Sequence, residues 1–258
     1  MSTATERPAG PAAKRPTRRP TDPFGGAIPL VLFAFLTVGI GFFPTFFAQL
    51  GNVDAVHMIH ALLSIGWLVL VIVQALMIRS REFKWHRVLG WSSLVVFAAL
   101  MVTSVQMVAL MLNGHRPMPF ETAKLFGYSD LTTLPLLAVL YGGAIWLRKD
   151  RHVHSRLISA TVLVAIVPAV ARMFFYLPIF FLGAKPVFPD GLVNAMHPTY
   201  ILILGVLAFA IYTDWKKERL RWPFPFAFGW MALTYATLFP GWHSAWFDYV
   251  ARGLGSLG

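Results

Sequence analysis

The chain has 258 residues, 57% hydrophobic and only 13% charged, with a net charge of +11 and a mean hydropathy of +0.64. Soluble domains carry roughly 25% charged residues, so this composition argues against an ordinary water-soluble domain and for a chain solvated by lipid. There is no cysteine, which excludes disulfides, iron–sulfur clusters and thiolate metal sites.

Residues 1–24 are rich in Pro, Ala and Arg with little to bury, and read as a disordered basic cytoplasmic tail. They are not a signal peptide, because no small-residue cleavage site follows a short apolar run. Residues 25–258 read as a single all-α domain, a polytopic transmembrane helix bundle. A bilayer core about 30 Å thick needs roughly 20 apolar residues per helix. Seven runs approach this: Gly26–Gln49, His57–Ile78, Leu89–Leu112, Leu131–Leu147, Leu157–Tyr176, Pro198–Tyr212 and Pro225–Pro240. The last is short and flanked by prolines, so the alternative is six spans plus a re-entrant or interfacial helix.

The basic residues set the expected orientation. Four clusters hold 17 of the 22: the tail, the stretch Arg79–Arg87, the stretch Arg148–Arg156 and the stretch Lys216–Arg221. They alternate with poorly charged loops, which puts the N-terminus in the cytoplasm and, with seven spans, the C-terminus outside. The positive charge is then a topology signal with attraction to anionic lipid, and no nucleic-acid partner is expected. The outer loops Gly114–Asp130 and Gly183–His197 are long enough to fold as lids. The stretches "KWHRVLGWSSLVV" and "HVHSRLISATVLV" both set His before Arg at a helix start, a weak internal repeat.

This topology sorts the polar residues by depth. His57 and His60, at i and i+3, share one helical face at the outer end. His197 opens the sixth run at the same level, ahead of Pro198. Arg172 lies 18 residues beyond His154, roughly 27 Å of helical rise, which also places it in the outer leaflet. A charge in hydrocarbon costs at least about 2.5 kcal/mol and normally faces a cavity or a partner; the expected partners are Asp130 and Asp54. An Arg–Asp brace or a snorkelling Arg accounts for Arg172 as well as a ligand contact does. His57 and His60 are equally readable as interfacial residues or as a ligand or proton-relay pair. Gln74 and Gln106 suit helix cross-links. His86 and His154, each just before an Arg, read as interface anchors or as a facing pair in the cytoplasmic leaflet. His115, His152 and His243 carry no assignment.

The second and third runs, "HMIHALLSIGWLVLVIVQALMIRSREFKWHRVLGW", resemble a bacterial polytopic membrane-protein family of unknown function. Its pattern is His, Trp, Gln, then His-Arg-x-Leu-Gly. The fifth run, "HVHSRLISATVLVAIVPAVAR", resembles that family's second signature, His-x-Arg-Leu, Pro-Ala, Arg. The resemblance covers about residues 57–176 and falls on His60, Trp67, Gln74, His86, Arg87, Gly90, His154, Arg156, Pro168 and Arg172. It implies a bacterial inner (cytoplasmic) membrane and supplies no activity. A looser likeness in kind to cytochrome b561 suggests two haems, held by His86 with His154 and by His57 or His60 with His197, although Asp130 stands where a fourth-helix His would be expected.

Three functional classes follow. One is a redox protein binding haem b, with His60, His197, His86 and His154 as metal ligands. A second is a quinone or lipid-like ligand held by His60 and Arg172 with Asp130 beside them. The third is non-catalytic: an accessory or assembly subunit of a larger membrane complex, or a small transporter. Ser-His-Asp order, a phosphate loop and HExxH are absent. The dense His clusters of membrane di-iron hydroxylases are absent too.

Overall fold

A computed structural model describes residues 27–114, 118–183, 185, 190–217 and 220–258. The tail expected over 1–24 lies outside them. The described residues form helices and no strand. Helix α1 is Ala27–Phe42, followed by a short 3-10 helix, Phe47–Asn52; α2 is Ala55–Arg79, α3 Phe83–Leu112 and α4 Phe120–Trp146. Then come α5, Arg151–Ala165; α6, Val167–Leu182; α7, Asp190–Lys216; α8, Pro223–Trp242; and α9, Ala245–Gly255.

Local chemistry sets several of these ends. Asp54 caps α2 by accepting from the His57 backbone N–H at 3.0 Å, and Asp150 caps α5 by accepting from His152 and Val153. Gly183, at φ 61°, closes α6 in the left-handed conformation that glycine enters without a Cβ penalty. Pro168 explains the break between α5 and α6. It has no N–H to give to the Val164 carbonyl and its ring crowds that turn, so the two helices meet at 41° around Ile166.

The helices pack about an aliphatic and aromatic core between two ends, with α5 running on into α6 through the 41° bend. His57 marks one end, with the close of α1 and the start of α4; His86 marks the other, with the starts of α1 and α5. The outward faces are strongly apolar: Val95, Phe209, Leu233 and Ile201 are each more than 60% exposed. Such contiguous apolar surface needs a non-aqueous partner.

Helices α2, α3 and α7 are long and apolar enough to cross a membrane, and the bent pair α5–α6 makes a fourth. Length and apolarity therefore support three or four crossings rather than the seven expected. Helix α1 has only 16 residues. The first turns of α4 carry Glu121, Lys124, Ser129 and Asp130, and α8 is rich in Pro, Gly and aromatic side chains rather than aliphatic ones. Two expected outer loops are also largely helix. Residues 120–130 belong to α4, so Asp130 lies about 15 Å inside that helix, not at its start. Residues 190–197 belong to α7, so His197 is interior to a helix and Pro198 is not in a first turn. Helix α9 was not anticipated. It packs on α3, with Phe247 and Ala251 buried.

Candidate functional site

Helices α1, α2, α3, α4 and α6 leave a cavity near the His57 end, in two overlapping lobes of about 250 and 390 Å³. Its walls are mostly apolar, including Phe42, Leu68, Met107, Met118 and Phe126. Among the described residues, His57, His60 and Arg172 reach both lobes, Asp130 reaches one and Tyr176 the other. The structure thus brings together His57, His60 and Arg172 of the expected outer cluster, with Asp130, and leaves His197 out.

Each is held differently. The His57 imidazole is bound to its own N-cap, with Nδ1 2.7 Å from Asp54 Oδ2. That engages Asp54, one of the two expected partners of Arg172. The Arg172 guanidinium donates from Nη1 to the Pro168 carbonyl at 3.0 Å and lies 4.7 Å from the centre of the Phe42 ring. Arg172 thus reaches back one turn to the carbonyl of Pro168, at the start of its own helix. No hydrogen bond or ion pair to the Asp130 carboxyl forms among the described residues, so that group faces the cavity.

His60 has a tautomer that its neighbours dictate. Thr103 Oγ1 gives its proton to the Leu100 carbonyl, so it accepts from His60 Nδ1 at 3.1 Å. Ser64 Oγ gives its proton to the His60 carbonyl at 2.8 Å and cannot also donate to Nε2. The Nε2 lone pair of a neutral His60 is thereby presented to the cavity. A hydrogen-bond acceptor, a guanidinium donor and a carboxyl group converge inside apolar walls.

His197 is not in this group. Its Nδ1 meets Tyr235 Oη at 2.8 Å and its ring stacks on Phe239 at 4.6 Å, both on α8. The lining of the cavity does not include it, so the expected pairing of His197 with His57 or His60 is not assembled.

His86 and His154 do come together at the other end. Their ring centres are 6.4 Å apart and their planes nearly perpendicular. With Gln74, Gly90, Ser93 and Tyr141 they line a small cavity of about 80 Å³. That is well below the roughly 300–1,000 Å³ of clefts that hold a drug-sized ligand, and a porphyrin does not fit between the two rings as they stand. His86 and His154 supply two facing imidazoles in a cavity smaller than a porphyrin needs; at the other end the expected second histidine, His197, is turned to α8. Among the described residues, no group of three or more His, Cys, Asp or Glu side chains is placed to hold a metal.

Trp67 contributes to the walls of both cavities, packed against Phe97 and Tyr141 at 5.2 Å each. Of the ten residues that carry the family resemblance, all but Arg87 and Arg156 line one cavity or the other. Arg156 instead forms a buried bidentate pair with Asp214 of α7, one arm of which, Nη2 to Oδ1, is 2.7 Å. Sequence reading missed Asp214, Thr103 and Ser64. The first sits at the end of α7 like any interfacial acid, and the other two are small hydroxyl residues with no chemical signature of their own.

No protein-family model, curated protein or solved structure matches the chain.

Proposed function

We propose that this chain is a multi-pass membrane protein that binds an amphipathic, quinone- or lipid-like molecule in the cavity at the His57 end. The observation that carries the reading is the convergence of His60 Nε2, Arg172 and Asp130 on one apolar-walled space. A ring hydroxyl would donate to His60 Nε2 and a carbonyl or phosphate oxygen would accept from Arg172. An apolar tail would lie along Met107, Met118 and Phe126. Charged groups inside a bundle normally serve a ligand path or a partner; Asp130 lies within electrostatic reach of Arg172, and both line the same cavity. The helices beyond the three or four that meet the length and apolarity of a crossing would pass through the bilayer with them, with the basic loops on the cytoplasmic side of a bacterial inner membrane. The strongly apolar outward faces support this.

The test is native mass spectrometry of the full chain released from mild detergent, after incubation with a short-chain benzoquinone or with phosphatidylglycerol. One of the two should be retained, and Arg172→Gln should lower retention at least tenfold. A chain that holds neither, or holds them equally after Arg172→Gln, overturns the reading.

A further inference from the structure

The cavity at the His86 end is separate from this ligand site and has its own chemistry. His154 Nδ1 donates to the Ala144 carbonyl at 2.8 Å. This fixes the ring as the Nδ1–H tautomer and leaves the Nε2 lone pair unused. A backbone carbonyl taking the far N–H is the usual support behind a metal-binding imidazole. Three buried polar atoms at the same cavity lack hydrogen-bond partners among the described residues: both amide atoms of Gln74, and Nδ1 of His86. Buried polar atoms are rarely left unsatisfied, and such a group of them calls for an occupant.

We propose that His86 and His154 hold a single monovalent copper ion. Two metal–nitrogen bonds of about 2.0–2.1 Å, plus about 1.1 Å from each nitrogen to its ring centre, span about 6.3 Å. The observed separation is 6.4 Å. Perpendicular rings are compatible with in-line coordination, because they keep the ring hydrogens of the two ligands apart. The donor set then selects the ion. Zinc completes four ligands, usually with at least three from protein, and calcium and magnesium require six or more oxygens. Only two imidazoles are present. No carboxylate lines this cavity, so a buried ion would be uncompensated, and the desolvation cost falls with the lowest charge. Monovalent copper accepts two nitrogen ligands in line, and imidazole suits copper. The Gln74 amide stands beside the pair as a weak third contact or a brace, its nitrogen close behind Gly90.

The experiment uses the purified full chain in detergent, loaded with monovalent copper and challenged with a colorimetric copper(I) chelator, with divalent zinc in parallel. One copper per chain should survive the challenge. His86→Gln and His154→Gln should each weaken retention at least tenfold, while His60→Gln and His197→Gln leave it unchanged. X-ray absorption on the unmutated protein, which needs no variant to fold, should show two short nitrogen contacts. Failure to retain copper, retention indifferent to His86 and His154, equal retention of zinc, or a higher-coordinate spectrum would each overturn the proposal. Loss in His60→Gln instead would move the metal to the other cavity and equally overturn it.

Discussion

A Cβ on Gly41 would overlap the Ala169 carbonyl oxygen, a backbone atom that cannot swing away. That close approach brings the end of α1 against α6 and lets Phe42 reach Arg172. Gly41→Ala should therefore cost about 1–3 kcal/mol, the usual range for overpacking. Gly39→Ala, with nothing within 4 Å of the added carbon, should be neutral or slightly stabilising. Thermal unfolding of the two variants in the same detergent compares them directly. Arg156 and Asp214 give a second residue-scale expectation. Each is only 8% exposed, and removing one partner from a buried pair costs about 3–5 kcal/mol because the other charge is left stranded. Asp214→Asn and Arg156→Met alone should both be strongly destabilising in a melt. The double change to Met and Leu should recover most of the loss. Individual residues were legible in the sequence where depth alone identified them, as with His60, Arg172 and the His86–His154 pair. They were not legible where a partner lay far along the chain. Arg156 and Asp214 are 58 residues apart, and His197 turned to Tyr235 because α8 packs beside α7, which no local pattern signals.

At the scale of elements, caps and breaks decide where each helix points. Asp150 is exposed and accepts from two backbone N–H groups at the start of α5, which holds its carboxyl below the usual range, the Val153 bond contributing most. A depressed folded-state value means that this support is complete above the ordinary value of 3.8 and is lost as pH falls below it. Asp150→Ala should cost roughly 1 kcal/mol at neutral pH, as cap losses do. The difference from the unmutated protein should shrink towards zero in melts taken below that value. A gap that persisted at low pH would show that the carboxylate is not what holds the helix start. Sequence periodicity located the apolar cores of α2 and α3 within a few residues, since nothing but apolar length was needed. It placed the starts of α4 and α7 too late, because the polar first turns of those helices read as loop. The 41° break was also hidden: Pro168 was visible, but proline bends a helix by an amount that packing chooses.

For the whole molecule, the governing fact is an apolar exterior around a core with two mostly apolar cavities that each hold a few polar side chains. Its passage through a bilayer is open to a simple measurement, because the chain contains no cysteine and each introduced thiol reports alone. Single changes Arg81→Cys and Lys149→Cys should react with an impermeant maleimide from the same side of sealed vesicles. Asn52→Cys and Lys185→Cys should react from the opposite side. Four residues labelled from one side would show that fewer helices cross than the alternation of basic loops implies. Overall class was legible here from composition and charge alone. The number of crossings was not, because short, kinked or aromatic-rich helices meet the needs of a packed interior without the aliphatic length that marks a span.

Trp67 stands in the wall of both chambers. Among the described residues it is the one residue the two linings share. A bilayer resists ions by roughly 30 Å of hydrocarbon; cavities set towards both ends of a bundle that crosses it would shorten that barrier, with Trp67 between them. Trp67→Ala should join the recesses into one continuous passage. Liposomes containing that variant should lose an imposed proton gradient faster than those with the unmutated chain, as followed with an entrapped pH dye.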